Sequence, residues 1–152
     1  MRDLKELGIV PDVPSVVRTP ADDLLIAAFE QRFEVRVPDD LRKFLKEIAG
    51  GFPRLCVFRK GEGFWEVNNF FELSRDDGPG GLLDVTERVG HVLGPGDIPF
   101  AQDAYGNPFI VDGSKTPSPV SIFLLDEETS IPLAESFAEF IDGLTERPNR
   151  GG

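Results

Sequence analysis

Apolar residues recur at helical spacing twice near the start of the chain, then give way to short aromatic and β-branched runs. In TPADDLLIAAFEQRF, from Thr19 to Phe33, the residues Leu25, Ala28, Phe29 and Phe33 fall on one helical face. Thr19 is the expected N-cap. Pro20 sits where a missing N–H costs nothing, and Asp22 and Asp23 complement the positive end of the helix. VPDDLRKFLKEIAGG repeats the scheme. Pro38 starts the helix, Asp39 and Asp40 fill its first turn, and Leu41, Phe44, Leu45 and Ile48 form the buried stripe. Gly50 and Gly51 are expected to stop it in the left-handed conformation.

After Pro53 the period changes. RLCVFRK and FWEVNNFFEL, separated by GEG, predict a β-hairpin. SRDDGPGG reads as a loop, and LLDVTERVGHVL as a helix with Leu82, Val85 and Val89 on one side. IPFAQD and PFIVD predict two strands around a Tyr-Gly-Asn-Pro turn, and PVSIFLLDEE a fifth, apolar enough to be central in the sheet. IPLAESFAEFIDGL predicts a closing amphipathic helix with Leu133, Phe137, Phe140, Ile141 and Leu144 inward. Pro11 and Pro14 argue against regular structure before Thr19, and ERPNRGG reads as a frayed tail. The boundaries are an extension over 1–18, one domain over 19–145 and a tail over 146–152. Helices first, then hairpin-connected strands, then a last helix, argue for an α+β domain.

Composition adds constraints. A chain of 152 residues buries enough surface to fold without a disulfide or metal staple. Cys56 is the only cysteine, so it has no partner within the chain and points to a reducing compartment. The N-terminus lacks the apolar core of a signal peptide, and no window resembles a membrane span. A soluble, cytoplasmic protein without membrane contact is the expectation. The net charge of −11 disfavours nucleic-acid binding and favours steering toward a basic partner, although acidity also serves solubility alone.

The candidate chemistry is thin. Asp103 and Asp112 flank the Tyr-Gly-Asn-Pro stretch, but the residues after Asn107 have strand character, so the motif reads as a bend and not a calcium loop. The lone His91 has no nucleophile beside it, and Cys56 in LCVF reads as a buried apolar filler. One Cys and one His are too few for zinc. No catalytic residue, metal or cofactor is expected. Glu62 and Glu66 flank Phe64 and Trp65, so Trp65 is either a contact anchor or a core residue. Asp126, Glu127 and Glu128 end a hydrophobic strand, as a solvated turn or as a contact.

Four stretches resemble, in order, the SUKH superfamily of Smi/Knr-like domains. They are IAAFEQRFEVRVPDDLRKFLKEIAGG, FFELS, IPFAQDAYGNPFIVD, and VSIFLLDEE followed by LAESFAEFIDGL. The resemblance implies a single α+β domain over 19–145. Its bent, mixed or antiparallel sheet would have about five strands, with two N-terminal helices, a middle helix and a C-terminal helix packed around it. Gly106 and Asn107 match the family's turn, Asp103 and Asp112 its flanking acids, and Gly50 and Gly51 its helix stop. All six read as scaffold. The resemblance also implies a non-enzymatic, protein-binding role. That role would be an immunity protein neutralising a toxin, often a nuclease, or a regulatory scaffold of the yeast cell-wall type. The expected partner is a protein, a basic toxin domain. Contact positions vary between family members, so the expected patch of Trp65, Asp103, Tyr105, Asp126, Glu127 and Glu128 rests on the acidic and aromatic character of these residues and not on the resemblance.

Overall fold

Helix α1 (Asp23–Phe33) is started by Asp22, whose carboxylate accepts the Leu25 N–H at 2.8 Å. Thr19 therefore is not the cap. The segment before Asp22 is engaged elsewhere, with the Ala21 N–H donating to the Leu45 carbonyl at 3.0 Å. Ile26 and Phe29 are fully buried, and Leu25 and Phe33 half-buried. Ala28 is exposed: its one methyl is too small to decide which way the apolar face turns. The computed structural model describes residues 1–10, 19–74 and 80–148. Pro11, Pro14, the centre of SRDDGPGG and the chain from 149 onward lie outside the described residues.

Helix α2 (Asp39–Glu47) buries Leu41, Phe44 and Leu45 as expected. Asp40 does more than start it. One of its oxygens accepts the Leu41 N–H and the other the Ala138 N–H, both at 2.9 Å, so it also caps α4 (Phe137–Asp142). The Gly pair does not stop α2, which ends in extended backbone at Ile48. Gly51, at φ 122°, threads between two neighbours. It exchanges backbone hydrogen bonds with Phe70 at 3.1 and 2.8 Å, and a Cβ would drive into the Val10 carbonyl.

The remaining elements are β1 (Leu55–Lys60), β2 (Gly63–Glu66), β3 (Asn69–Phe70), α3 (Leu82–Arg88), β4 (Asp97–Gln102), β5 (Pro108–Asp112), β6 (Val120–Leu124), β7 (Thr129–Ala134) and β8 (Leu144–Glu146). The α+β class holds, but the strands divide into two sheets. A three-stranded sheet runs β2-β1-β8 and a five-stranded one β3-β4-β5-β6-β7, with every pairing antiparallel. The division falls inside FWEVNNFFEL. The Val67 N–H still bonds to Cys56 of β1, while the next N–H, of Asn68, bonds to Gln102 of β4, both at 2.8 Å.

Three further expectations shift. VSIFL is internal to the larger sheet, but β5 is its centre. The helix expected over LLDVTERVGHVL ends at Arg88, with Gly90–Val92 forming a separate 3-10 turn. The closing helix is short. IPLA belongs to the edge strand β7, where Pro132 is tolerated, and Leu144 opens β8 against Phe58. α4 begins only after Ser136, whose hydroxyl accepts the Glu139 N–H at 3.0 Å.

Phenylalanines join the layers. Phe140 of α4 stacks on Phe58 of β1 at 4.9 Å and meets Phe100 of β4 edge-on at 5.5 Å, spanning both sheets. Phe137 packs edge-on against Phe44 of α2 at 5.3 Å and Phe100 at 5.0 Å. A 3-10 turn at Leu4–Leu7 buries both leucines beneath this core. The Arg2 guanidinium donates to the Ile141 and Leu144 carbonyls at 3.0 and 2.8 Å. Among the described residues, no helix is long and apolar enough to cross a membrane.

Candidate functional site

Antiparallel order places the β4–β5 and β6–β7 turns at the same end of the five-stranded sheet. The first turn is built by Asp103. One carboxylate oxygen accepts the Tyr105 and Asn107 N–H groups, each at 2.9 Å, and the other accepts the Asn107 side-chain amide at 3.0 Å. Gly106 supplies the left-handed residue the bend requires, with φ 84°. The Asn107 side chain then crosses to the second turn, where its oxygen accepts the Leu125 N–H at 2.9 Å. The two turns are thus stapled together. That role of Asn107 was invisible in the sequence, because Leu125 lies far along the chain.

Of the residues expected to contact a partner, Asp103, Tyr105, Asp126, Glu127 and Glu128 stand at this sheet end. Asp103 is half-buried, with both oxygens engaged by its own turn. Tyr105 is 89% exposed. Asp126, Glu127 and Glu128 are exposed and form no ion pair among the described residues. Glu128 also holds φ 51°, a conformation costly for a residue with a Cβ and one that glycine or asparagine would take more cheaply. Trp65 lies apart. It sits in β2 of the other sheet, opposite Phe58, and packs half-buried against the core.

Charge is partitioned along the chain. Between Val89 and Glu146 there are ten Asp or Glu residues and one cationic residue, Lys115, which leaves nine of the eleven net negative charges in that segment. The segment comprises β4 to β8 and α4. Elsewhere acids and bases nearly balance, and many are paired. Lys46 and Arg42 reach Asp23 at 3.1 and 3.5 Å, Arg42 reaches Glu30 at 3.1 Å, and Arg32 pairs with Glu87. Total charge conceals this split; a count by segment reveals it.

The opposite end of the sheet has different chemistry. Asp97 and Asp112 face each other across β4 and β5. Burial holds the Asp97 carboxyl above the usual carboxylate range and the Asp112 charge adds to the shift, against the Gly94 N–H donated to it at 2.8 Å. Lys115 stands 3.9 Å from Asp112. Burial, reinforced by the Glu66 carboxylate, raises the Cys56 thiol, which makes it a poor nucleophile. His91 is exposed in the 3-10 turn after α3. Among the described residues, no group of three or more His, Cys, Asp or Glu side chains is placed to hold a metal ion.

No curated protein and no solved structure matches the chain. The model of the SMI1/KNR4 family (SUKH-1) matches residues 20–143, a span that contains α1 to α4, the five-stranded sheet and the β1–β2 hairpin. Members of this family generally bind protein partners and are generally non-enzymatic. With the match covering most of its length, the chain belongs to the SMI1/KNR4 family (SUKH-1).

Proposed function

We propose that this chain is an immunity protein of the cytoplasm. It binds a cognate basic toxin domain of nuclease type and occludes the surface with which that toxin meets its substrate. The observation that carries the reading is the group of exposed carboxylates, Asp126, Glu127 and Glu128, which form no ion pair among the described residues, beside the exposed Tyr105 on one stapled sheet end. Three physical effects act together there. The local excess of negative charge accelerates encounter with a cationic surface. Tyr105 offers a large, rigid contact able to act as an anchor. The Asn107 staple holds both turns before contact, so little ordering cost falls on binding. Inhibition of this kind makes and breaks no covalent bond.

The test is to examine the neighbouring reading frames for a secreted toxin and to co-express the chain with any toxin domain found there, followed by growth rescue and co-purification at rising salt. Rescue, with affinity that falls steeply as salt rises, supports the reading. Binding indifferent to charge reversal at Asp126, Glu127 and Glu128 refutes the acidic-edge mechanism. Binding of several partners with no rescue moves the chain to the family's regulatory branch.

A further inference from the structure

The two sheets have four edges, and the chain itself closes three of them. Outside β3, Gly51 exchanges backbone hydrogen bonds with Phe70. Outside β7, Pro132 has no N–H to offer and its carbonyl accepts the Lys60 ammonium at 3.0 Å. Outside β8, Arg2 takes the Leu144 carbonyl. Such devices keep sheet edges from pairing with other chains. β2 has none. Gly63-Phe64-Trp65-Glu66 contains no proline or lysine, and among the described residues no backbone group pairs with its outer side.

The outward groups can be identified. A two-residue turn joins the paired Lys60 and Gly63, and the Val67 N–H donates to the Cys56 carbonyl at 2.8 Å. Both features set the same alternation. Gly63, Trp65 and Val67 turn their N–H and C=O groups toward β1, so those of Phe64 and Glu66 point away from the sheet. Phe64 is 58% exposed, and the Arg59 guanidinium lies over its ring, 5.9 Å from the centroid. Arg59 has no carboxylate partner among the described residues. Glu66 is held by Arg147.

We infer that β2 pairs with β2 of a second copy, antiparallel about a two-fold axis at Trp65, so that the two three-stranded sheets become continuous. In that register Phe64 lies opposite Glu66 of the second copy, and the two residues exchange both backbone hydrogen bonds. The same pair recurs on the other side of the axis, as a two-fold interface requires. Arg59 shares a sheet face with Phe64 and Glu66. Carried over the Phe64 ring, its cation faces Glu66 of the second copy, which supplies the carboxylate it lacks. The contact is small beside the roughly 800 Å² per partner of a standard interface, so the association is weak and concentration-dependent. This inference does not rest on the immunity reading.

Sedimentation equilibrium of the full chain, from about 10 μM to about 1 mM, tests it, because association this weak is read only across such a range. A monomer–dimer equilibrium is expected. Phe64→Pro removes an outward N–H and is expected to weaken dimerisation at least about tenfold while the circular dichroism remains that of the folded chain. Arg59→Glu places like charges across the axis and is expected to do the same, with Arg59→Lys retaining most of the association. If Phe64→Pro fails to fold, the Arg59 pair carries the test. A chain that stays monomeric throughout, or a dimer indifferent to Arg59→Glu, overturns the proposal. An edge that accepts only an extended segment of another protein leaves the isolated chain monomeric and overturns it equally.

Discussion

In the helical layer, Asp23 sits between Lys46 and Arg42, and Glu30 holds both the Arg42 guanidinium and the Val37 N–H at 2.9 Å. At the end of the five-stranded sheet, Asp126, Glu127 and Glu128 are exposed and form no ion pair among the described residues. Residue type is the same in both places; what differs is whether a base stands within reach. Exposed pairs such as Asp23–Lys46 add little stability, but they cancel the field that an approaching partner would feel. The hydrogen bond and charge of Lys46, and then the charge of Arg42, hold the Asp23 carboxyl below its usual range. Acid content therefore does not locate a docking surface. What differs between the two places is the field each acid presents to its surroundings.

The sharpest way to break that contrast is charge reversal. Replacing Asp126, Glu127 and Glu128 by lysine is expected to weaken the cognate partner about 100-fold or more at low salt, read by calorimetry at two ionic strengths. Stability should move by less than about 0.5 kcal/mol, as for exposed residues without partners. Asp23→Lys, in the helical layer, should leave affinity within about twofold, since Asp23 is already neutralised by its neighbours.

A second contrast separates acids that hold the backbone from acids that only present charge. Asp40→Ala strands the N–H groups of Leu41 and Ala138 and should cost about 1–3 kcal/mol in urea denaturation. Asp103→Ala should cost about 1–2 kcal/mol, because water reaches part of the turn it holds. Smaller still is Glu128→Gly. Relief of the left-handed strain, about 1–2 kcal/mol, exceeds the added chain entropy of glycine, about 0.5–1 kcal/mol, so a net gain near 0.5 kcal/mol is expected. The same change should weaken partner binding. Stability lost together with binding would show that the left-handed conformation of Glu128 carries no strain to relieve.

The smallest effect depends on pH. Asp97 is shifted upward, opposite to Asp23. A carboxyl raised in the folded state favours folding when protonated, so its ionisation subtracts stability as pH rises from the ordinary Asp value through the raised one. Asp97→Asn keeps an acceptor for the Gly94 N–H and removes the repulsion from Asp112. At neutral pH it should add a few tenths to about 1 kcal/mol, and it should flatten that part of the stability–pH curve. For Asp23 the sign inverts: its contribution is present above the ordinary Asp value and is lost as pH falls through the lowered one.

Elements fixed by local pattern were legible in the sequence. The stripe of Leu41, Phe44 and Leu45 and the Asp103–Asn107 bend depend on neighbours a few residues away, and both form as expected. What failed depends on distant chain. The second sheet needs Leu144–Glu146 to return to β1, and IPLA becomes strand because β6 is beside it. The Gly51 conformation answers to Val10 and Phe70 and not to the helix before it. At the candidate site, Tyr105 and the Asp126–Glu128 run were visible as residue types. Their convergence was not, since it rests on strand order and on one amide reaching from Asn107 to Leu125.

The reach of that one amide divides labour at the rim. Main chain, Asp103 and Asn107 carry the architecture, so the side chains at 104, 105, 126 and 127 are released from it. Such positions behave like interchangeable keys on a fixed ring: their side chains can be exchanged while the sheet beneath keeps its form.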